Sequence, residues 1–213
     1  MKSKAAIVIV GAGVIGLSIA YELSKRGMKN IMVLEKGYLG SGASTRNAEG
    51  IRHLPDEYEI VLSKESIRLY KAMSKETCFN ILLSRLPHIW LAYSEEEDRS
   101  IKDYVDLSSR HGFKTHVIDE DEVSNRIPFL KVKDLLAACY EPHALRAHHD
   151  AVIWALARAS KRLGVDINTY TEVKDIKIID DKRKCVKTTR GDVETEIVVN
   201  AAGAWSSKIN RMV

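Results

Sequence analysis

The chain has 213 residues, enough for one large domain or one and a half ordinary ones. Apolar residues make up 45% and charged residues 29%, the balance of a globular protein, and no apolar run is long enough to span a bilayer. The net charge is only +4, and the basic clusters "SKRGMK", "KVKD" and "DKRK" sit beside acids or in turns, which argues against a nucleic-acid-binding stripe.

The first element is the apolar run "KAAIVIV", suited to a buried parallel strand. "GAGVIGLSIAYELSKRG" follows as a turn and a helix closed by Gly27, and "IMVLE" as a second strand. Together they make a βαβ unit. Gly11, Gly13 and Gly16 form G-x-G-x-x-G between strand and helix. The first glycine permits the tight turn, the second lets backbone approach a pyrophosphate, and the third lets helix and strand pack. Val14 and Ile15 open the helix, whose N-terminus favours negative charge. Glu35 ends the second strand about 20 residues on, where a carboxylate accepts hydrogen bonds from a ribose. The alternative is a generic βαβ turn with a surface glutamate. The fingerprint indicates a dinucleotide and leaves NAD and FAD both open.

The next stretch, "GYLGSGASTRNAEGIR", is richer in glycine and hydroxyl residues than a turn requires. Gly40, Gly42, Ser44 and Thr45 can offer amides and hydroxyls to phosphates, and Arg46 adds charge. A second phosphate-cradling loop suits a cofactor that is bound permanently and in extended form. "PDEYEIVLSKESIRLYKAMSKE" then reads as a helix with Tyr58, Leu62, Leu69 and Met73 on one face.

The middle changes character. "HIWLAYS" reads as a strand, "EEEDRSIKDYVDLSSRHG" as an amphipathic helix, and "KTHVID" and "LLAACYEP" as further strands. "HHDAVIWALARASKRLG" is a helix with Ile153, Leu156, Ser160 and Leu163 spaced by three and four, and Asp150 is the expected cap. "VDINTY", "EVKDIKIID", "KCVKTTR" and "ETEIVVNAAG" close the chain as strands. The last returns to the first sheet, which makes the nucleotide domain discontinuous. Cys78, Cys139 and Cys185 are odd in number and far apart, so each is expected to be a small core residue. His148 and His149 are adjacent, so their side chains diverge, and no metal site is expected. The N-terminus lacks a small-residue cleavage site, which makes the cytoplasm the expected location.

"GAGVIGLSIAYELSKRG", "VLEKGYLGSGASTRNAEGIR", "HHDAVIWALARA" and "IVVNAAGAWS" together resemble the FAD-dependent amine and amino-acid oxidoreductases related to D-amino-acid oxidase. The branch is that of the sarcosine oxidase β-subunit, glycine oxidase and proline dehydrogenase. The resemblance implies an α/β fold: a doubly wound, discontinuous, Rossmann-like FAD-binding domain over 1–80 and 148–213, and an inserted α+β substrate or cap portion over 81–147. It implies non-covalent FAD, because Asn47 stands where some relatives carry a flavin-bonded histidine. Glu35 and Lys36 would hold the adenosine ribose; Ala43, Ser44 and Thr45 would lie along the phosphates; Arg46, Asn47, Ala48 and Gly50 would approach the ribityl chain and flavin. The Val173 backbone would meet the adenine, or Val173 is an ordinary strand valine. Ala201, Ala202, Gly203 and Trp205 would approach the cofactor after Asn200, with Trp205 equally suited to packing.

Arg52 would bind the substrate carboxylate, or is a surface arginine. His149 matches the position at which sarcosine oxidase β-subunits carry a second flavin, FMN, but "HALRA" replaces the usual upstream glycines. The implied reaction is oxidation of the C–N bond of a small amino acid or N-methyl amino acid, with hydride transfer to flavin and imine hydrolysis. The family continues beyond the end of this sequence, so the C-terminal part of its fold is expected to be absent, and the chain to be a fragment or to be completed by other subunits. A non-catalytic dinucleotide-binding or assembly subunit is the alternative, and an NAD(P)-dependent dehydrogenase a third reading.

Overall fold

In chain order the elements are β1 (Lys4–Val10), α1 (Val14–Lys25), β2 (Ile31–Leu34), β3 (Gly50–Ile51), α2 (Glu57–Thr77), β4 (Ser84–Arg85), β5 (His88–Ala92), α3 (Glu95–Arg110), β6 (His116–Ile118), α4 (Glu120–Arg126), β7 (Ala137–Glu141), β8 (Leu145–Arg146), α5 (His149–Arg162), β9 (Asp166–Asn168), β10 (Val173–Ile178), β11 (Lys184–Thr188), β12 (Gly191–Asn200) and α6 (Ser206–Asn210). Single 3₁₀ turns occupy Ala43–Thr45 and Gly203–Trp205. The computed structural model describes residues 1–53 and 56–213; the expected start of α2 at Pro55 lies outside them. Two compact units result: Met1–Ala48, Met73–Ile81 and His148–Val213 form the first, Glu49–Ala72 and Leu82–Ala147 the second.

The first unit is built on a six-stranded sheet ordered β10-β11-β12-β1-β2-β9. β12, β1, β2 and β9 run parallel, and β10 and β11 are antiparallel additions at one side. Ile7 to Val10 and Ile31 to Leu34 are all buried, as expected of strands covered on both faces. β12 lies beside β1, with Ile197 opposite Ile7 and Asn200 opposite Val10, so the last apolar run does return to the first sheet. α1 buries Gly16, Leu17, Ala20, Tyr21 and Ser24 and packs against α5. α5 buries Ile153, Leu156 and Ser160 as its spacing predicts, but Leu163 is 37% exposed because the helix ends one residue before it. Asp150 does not cap α5: it sits in the first turn, and His148 is the N-cap residue. One cluster joins Ala5, Val8, Val10, Met32 and Leu34 to Val173, Ile176, Val186 and Val193.

The second unit contains the antiparallel sheet β5-β7-β6 and a small sheet β3-β8-β4. α3 starts with a capping box between Ser94 and Glu97 and turns Ile101, Tyr104, Leu107 and Ser108 inward. α4 had not been expected from the sequence; Asp119 caps it by accepting from the Glu122 amide.

Three further sequence expectations differ from the structure. Residues Glu49–Ala72 group with the second unit and not with the first, because Gly50 and Ile51 pair with Arg146 and Leu145, and His53 stacks on Tyr104 and Phe113. On α2 a row of Ile60, Ser63, Ile67, Tyr70, Ser74 and Thr77 turns inward; of the face expected from the sequence, Leu69 and Met73 are half-buried, while Tyr58 is 84% and Leu62 68% exposed. Both rows have helical spacing, and periodicity alone does not choose between them. Of the three cysteines only Cys139 is a core residue; Cys78 is exposed and Cys185 half-buried, and all three are free thiols. No helix among the described residues is long and apolar enough to cross a membrane.

Candidate cofactor and substrate sites

The first glycine turn is made by close approach. Gly11 has φ +110°, and a Cβ there would lie 2.4 Å from the Ala201 carbonyl oxygen. A Cβ on Gly16 would lie 2.0 Å from the carbonyl oxygen of Gly11. Neither obstacle is a side chain that could swing away, so both positions exclude a larger residue. Ala201 is held there by its own amide, which donates to Val10 O at 2.9 Å. The turn after β12 therefore abuts the turn after β1, although the two lie at opposite ends of the sequence.

α1 begins at Val14 with Gly13 as N-cap, which supplies no side-chain cap. Ser44 acts from a distance: its Oγ accepts from Val14 N at 2.9 Å. Ile15 in the same first turn is 63% exposed, so the helix start is open to solvent. The N-terminus of a twelve-residue helix whose own N-cap residue brings no side chain, lined by glycine, alanine and serine, fits an anionic pyrophosphate.

The loop after β2 is stitched to this turn. Glu35, 8% exposed, accepts from Ala12 N at 2.9 Å, Gly37 N at 2.8 Å and Ser41 Oγ at 3.1 Å. A carboxylate offers about four lone-pair sites, which leaves one for a ribose hydroxyl. Gly40 N donates to Ala12 O at 3.0 Å, and Thr45 Oγ1 to Gly40 O at 2.9 Å. Arg46 folds back on its own loop, donating to the Ser41 carbonyl, to Gly42 O at 2.7 Å and to Tyr38 Oη at 2.8 Å. Asn47 Nδ2 donates to Ser44 O at 3.0 Å. Both side chains shape the loop, and Ala43 and Ala48 are exposed beside them. Lys36 Nζ lies 3.1 Å from the centre of the Trp205 ring, which is 45% exposed and follows Ala202 and Gly203.

Val173 is a core residue, 4% exposed and paired with Thr188. His149 opens α5 half-buried, with Nε2 4.0 Å from Asp150 Oδ2 and its ring 5.1 Å from that of His148. Gly50 and Arg52 belong to the second unit. No group of three metal-ligating side chains occurs among the described residues.

The second unit holds a polar network that the sequence reading missed. Glu141, 3% exposed, accepts from Tyr104 Oη at 2.6 Å. Ser108 Oγ donates to Tyr104 O at 2.6 Å, so its single proton is committed and His53 Nε2, 2.8 Å away, must donate to it. The rings stack in series: Trp90 on Tyr104 at 4.9 Å, Tyr104 on His53 at 5.0 Å, His53 on Phe113 at 4.0 Å. Arg52 lies over Trp90, its Cζ 5.2 Å from the ring centre, with Nη1 2.9 Å from His88 Nε2. Burial alone would raise the Glu141 carboxyl, but the facing His88, Tyr104 and His53 bring it net below its ordinary value. Burial pushes the Tyr104 phenol far up, with Glu141 adding to it, and pushes the Cys139 thiol up to about 12. Burial lowers His53, against the pull of Glu141. These residues are scattered from position 52 to 141, and no local spacing marks them.

A βαβ unit with a glycine turn at an open helix start, and a second loop bonded to that turn, defines a dinucleotide-binding protein of the Rossmann-like class. The chain belongs to the FAD dependent oxidoreductase family (DAO), which it matches over residues 6–213. It is 33% identical over 200 residues to sarcosine oxidase subunit beta of Rhodobacter capsulatus, covering 91% of this chain and 48% of that protein. It is 32% identical over 213 residues to the mitochondrial pyruvate dehydrogenase phosphatase regulatory subunit of Mus musculus, covering 98% of this chain and 24% of that one. The crystal structure of L-proline dehydrogenase from P. horikoshii superposes with a TM-score of 0.90 at 34% identity, over 100% of this chain and 56% of that chain. The chain thus spans about half the length of two of these relatives and about a quarter of the third. The family match sets aside the NAD(P)-dependent reading.

Proposed function

We propose that the protein oxidises the C–N bond of a small amino acid or N-methyl amino acid of the sarcosine, glycine or proline kind. The observation that carries this reading is Arg52: a planar cation, exposed, laid on Trp90 and, among the described residues, hydrogen-bonded at one nitrogen, with its other donors available to a carboxylate. Likeness to a sarcosine oxidase subunit and to a proline dehydrogenase supports it. The first unit would hold non-covalent FAD through the Gly11–Gly16 turn, Glu35, Lys36, Ala43 to Ala48, Val173 and Ala201 to Trp205. The chemistry a bound FAD supplies is acceptance of a hydride from the carbon beside the amine, after which water hydrolyses the imine. Arg52 would fix the substrate by its carboxylate; the exposed start of α1 would offset pyrophosphate charge; Ser44 and Glu35 would hold the loop to that helix. His149 would be the attachment point if a second flavin, FMN, is carried. Further subunits would complete the assembly, as the name of the sarcosine oxidase relative implies for that protein.

The likeness to a regulatory subunit favours a second reading, in which the same fold serves binding without turnover. One experiment separates the two. The full-length protein is purified, its visible spectrum is recorded before and after acid precipitation, and sarcosine, glycine and proline are added anaerobically. Flavin released by acid and bleached by one of these substrates supports the oxidoreductase. Flavin retained in the pellet points to His149. A flavin that no small amino acid reduces favours the regulatory reading, and a protein that takes up no FAD overturns both.

A further inference from the structure

Arg52 does not touch the buried carboxylate nearest to it along the network; an imidazole stands between them. Guanidinium only donates hydrogen bonds, so His88 Nε2, 2.9 Å from Arg52 Nη1, must be the acceptor and carry no proton. A neutral His88 then bears its proton on Nδ1, and Nδ1 lies 3.9 Å from Glu141 Oε1, too far for a hydrogen bond but close enough for the carboxylate to favour that tautomer. Neither His88 Nδ1 nor Glu141 Oε2 has a hydrogen-bond partner among the described residues. Glu141 is itself fixed by Tyr104, and the His88 ring meets Trp90 edge-on at 5.7 Å. The same Trp90 ring carries Arg52.

We propose that His88, held in its Nδ1–H tautomer by Glu141, is a positioning residue that aims Arg52 at a substrate carboxylate. The proposal rests on the reading of Arg52 given above. Its physical content is a separation of tasks. A glutamate in direct contact with Arg52 would orient it and also compete with the substrate for its charge. A neutral imidazole orients the guanidinium through one nitrogen and leaves the charge, and the remaining planar donors, to the ligand. Trp90 below the guanidinium restricts its tilt, so the fork is ordered before the ligand arrives.

The test uses the full-length flavin-loaded protein and propionate, a carboxylate without an amine, titrated by calorimetry, with steady-state kinetics on whichever amino acid turns over. His88→Leu removes the acceptor; His88→Gln keeps a carbonyl oxygen that can accept from Arg52. In His88→Leu propionate binding is expected to weaken about tenfold and KM to rise similarly, with a smaller change in kcat, while His88→Gln recovers most of the loss. Nitrogen-15 spectra of the wild type are expected to show His88 protonated on Nδ1 and bare on Nε2. Unchanged propionate affinity in His88→Leu, no recovery in His88→Gln, or a proton on Nε2 would each overturn the positioning role. Arg52→Met separates the two claims. If it binds propionate as tightly as the wild type, the carboxylate reading of Arg52 fails and the proposal with it. If it weakens binding while His88→Leu does not, only the role of His88 fails.

Discussion

The two units organise their polar groups in different ways. In the first, the candidate cofactor site is made mainly of backbone: the Gly11 turn pressed on Ala201, an open helix start, and a loop whose carbonyls hold Arg46 and Asn47 in place. In the second, side chains from separate elements meet: His53, His88, Trp90, Tyr104 and Glu141. A backbone-built site is set by whether a Cβ fits; a side-chain network is set by whether every buried charge keeps its partners. The first fails abruptly on adding one carbon atom, whereas the second responds in graded fashion and to pH.

The largest effect should come from adding a methyl group at the glycine turn. In Gly16→Ala the new Cβ collides with a backbone carbonyl that cannot rotate away, and in Gly11→Ala a positive φ adds strain. Each should cost at least about 3 kcal/mol and abolish flavin retention, read by chemical unfolding and by the visible spectrum of the full-length protein. Gly50→Ala, which meets nothing within 4 Å, is the control and should change stability by less than about 1 kcal/mol. Equal losses at Gly16 and Gly50 would show that close approach is not what governs the first unit.

Tyr104→Phe should come next. It removes the 2.6 Å hydrogen bond to a carboxylate that is 3% exposed, and Glu141 Oε2 already has no partner among the described residues. A destabilisation of about 2–4 kcal/mol is expected, and adding Glu141→Gln should recover part of it, because the charge left uncompensated is then gone. Glu141 also contributes to acid sensitivity. Its folded carboxyl is depressed, so its stabilisation is present above the unfolded value and lost as pH falls through the folded one. Without the Tyr104 hydroxyl the depression shrinks, and this part of the acid loss should shrink too. Additive losses in the double variant would deny the coupling.

His53 should give a smaller, pH-defined effect. Burial lowers its pKa, so the folded state binds fewer protons than the unfolded chain. Stability is then complete above the unfolded value of about 6.5 and declines as pH falls from there towards the folded value. Thermal unfolding between pH 7.5 and 5 should show that decline in the wild type, and His53→Gln, which can still donate to Ser108, should flatten it. An identical pH slope in the variant would assign the slope to other groups.

The same contrast explains what could be read in advance. Gly11, Gly13, Gly16 and Glu35 announced themselves because backbone geometry demands particular residues at fixed spacing within one βαβ unit. β12 could be returned to the first sheet because the apolar run "IVV" leads into a glycine-containing turn, as the first strand does. The roles of Arg46 and Asn47 were read only in part: their place in the loop was legible, but not that their donors close on Gly42 and Ser44. The α2 face held at Leu69 and Met73 and failed at Tyr58 and Leu62, because two rows on the helix share one period. The second-unit network had no local signature at all, since Arg52, His88, Tyr104 and Glu141 come together only through the pairing of β5 with β7 and the packing of α3.

The smallest predicted effect bears on the one side-chain contact that stands out within the backbone-built site. Lys36 lies over Trp205, and both are exposed, so their cation–π contact should contribute only about 0.5–1 kcal/mol. If Trp205 is a packing residue, Lys36→Met should lower stability by that amount and change FAD affinity no further. If both residues hold the cofactor, the loss in FAD affinity should exceed the loss in stability of the flavin-free protein, and Trp205→Phe, which keeps an aromatic face of smaller area, should retain part of it. Measuring the FAD dissociation constant beside flavin-free unfolding for both variants distinguishes the two. The comparison is informative because the contact is weak: a large change in affinity could not come from the lost cation–π energy and would have to come from the ligand.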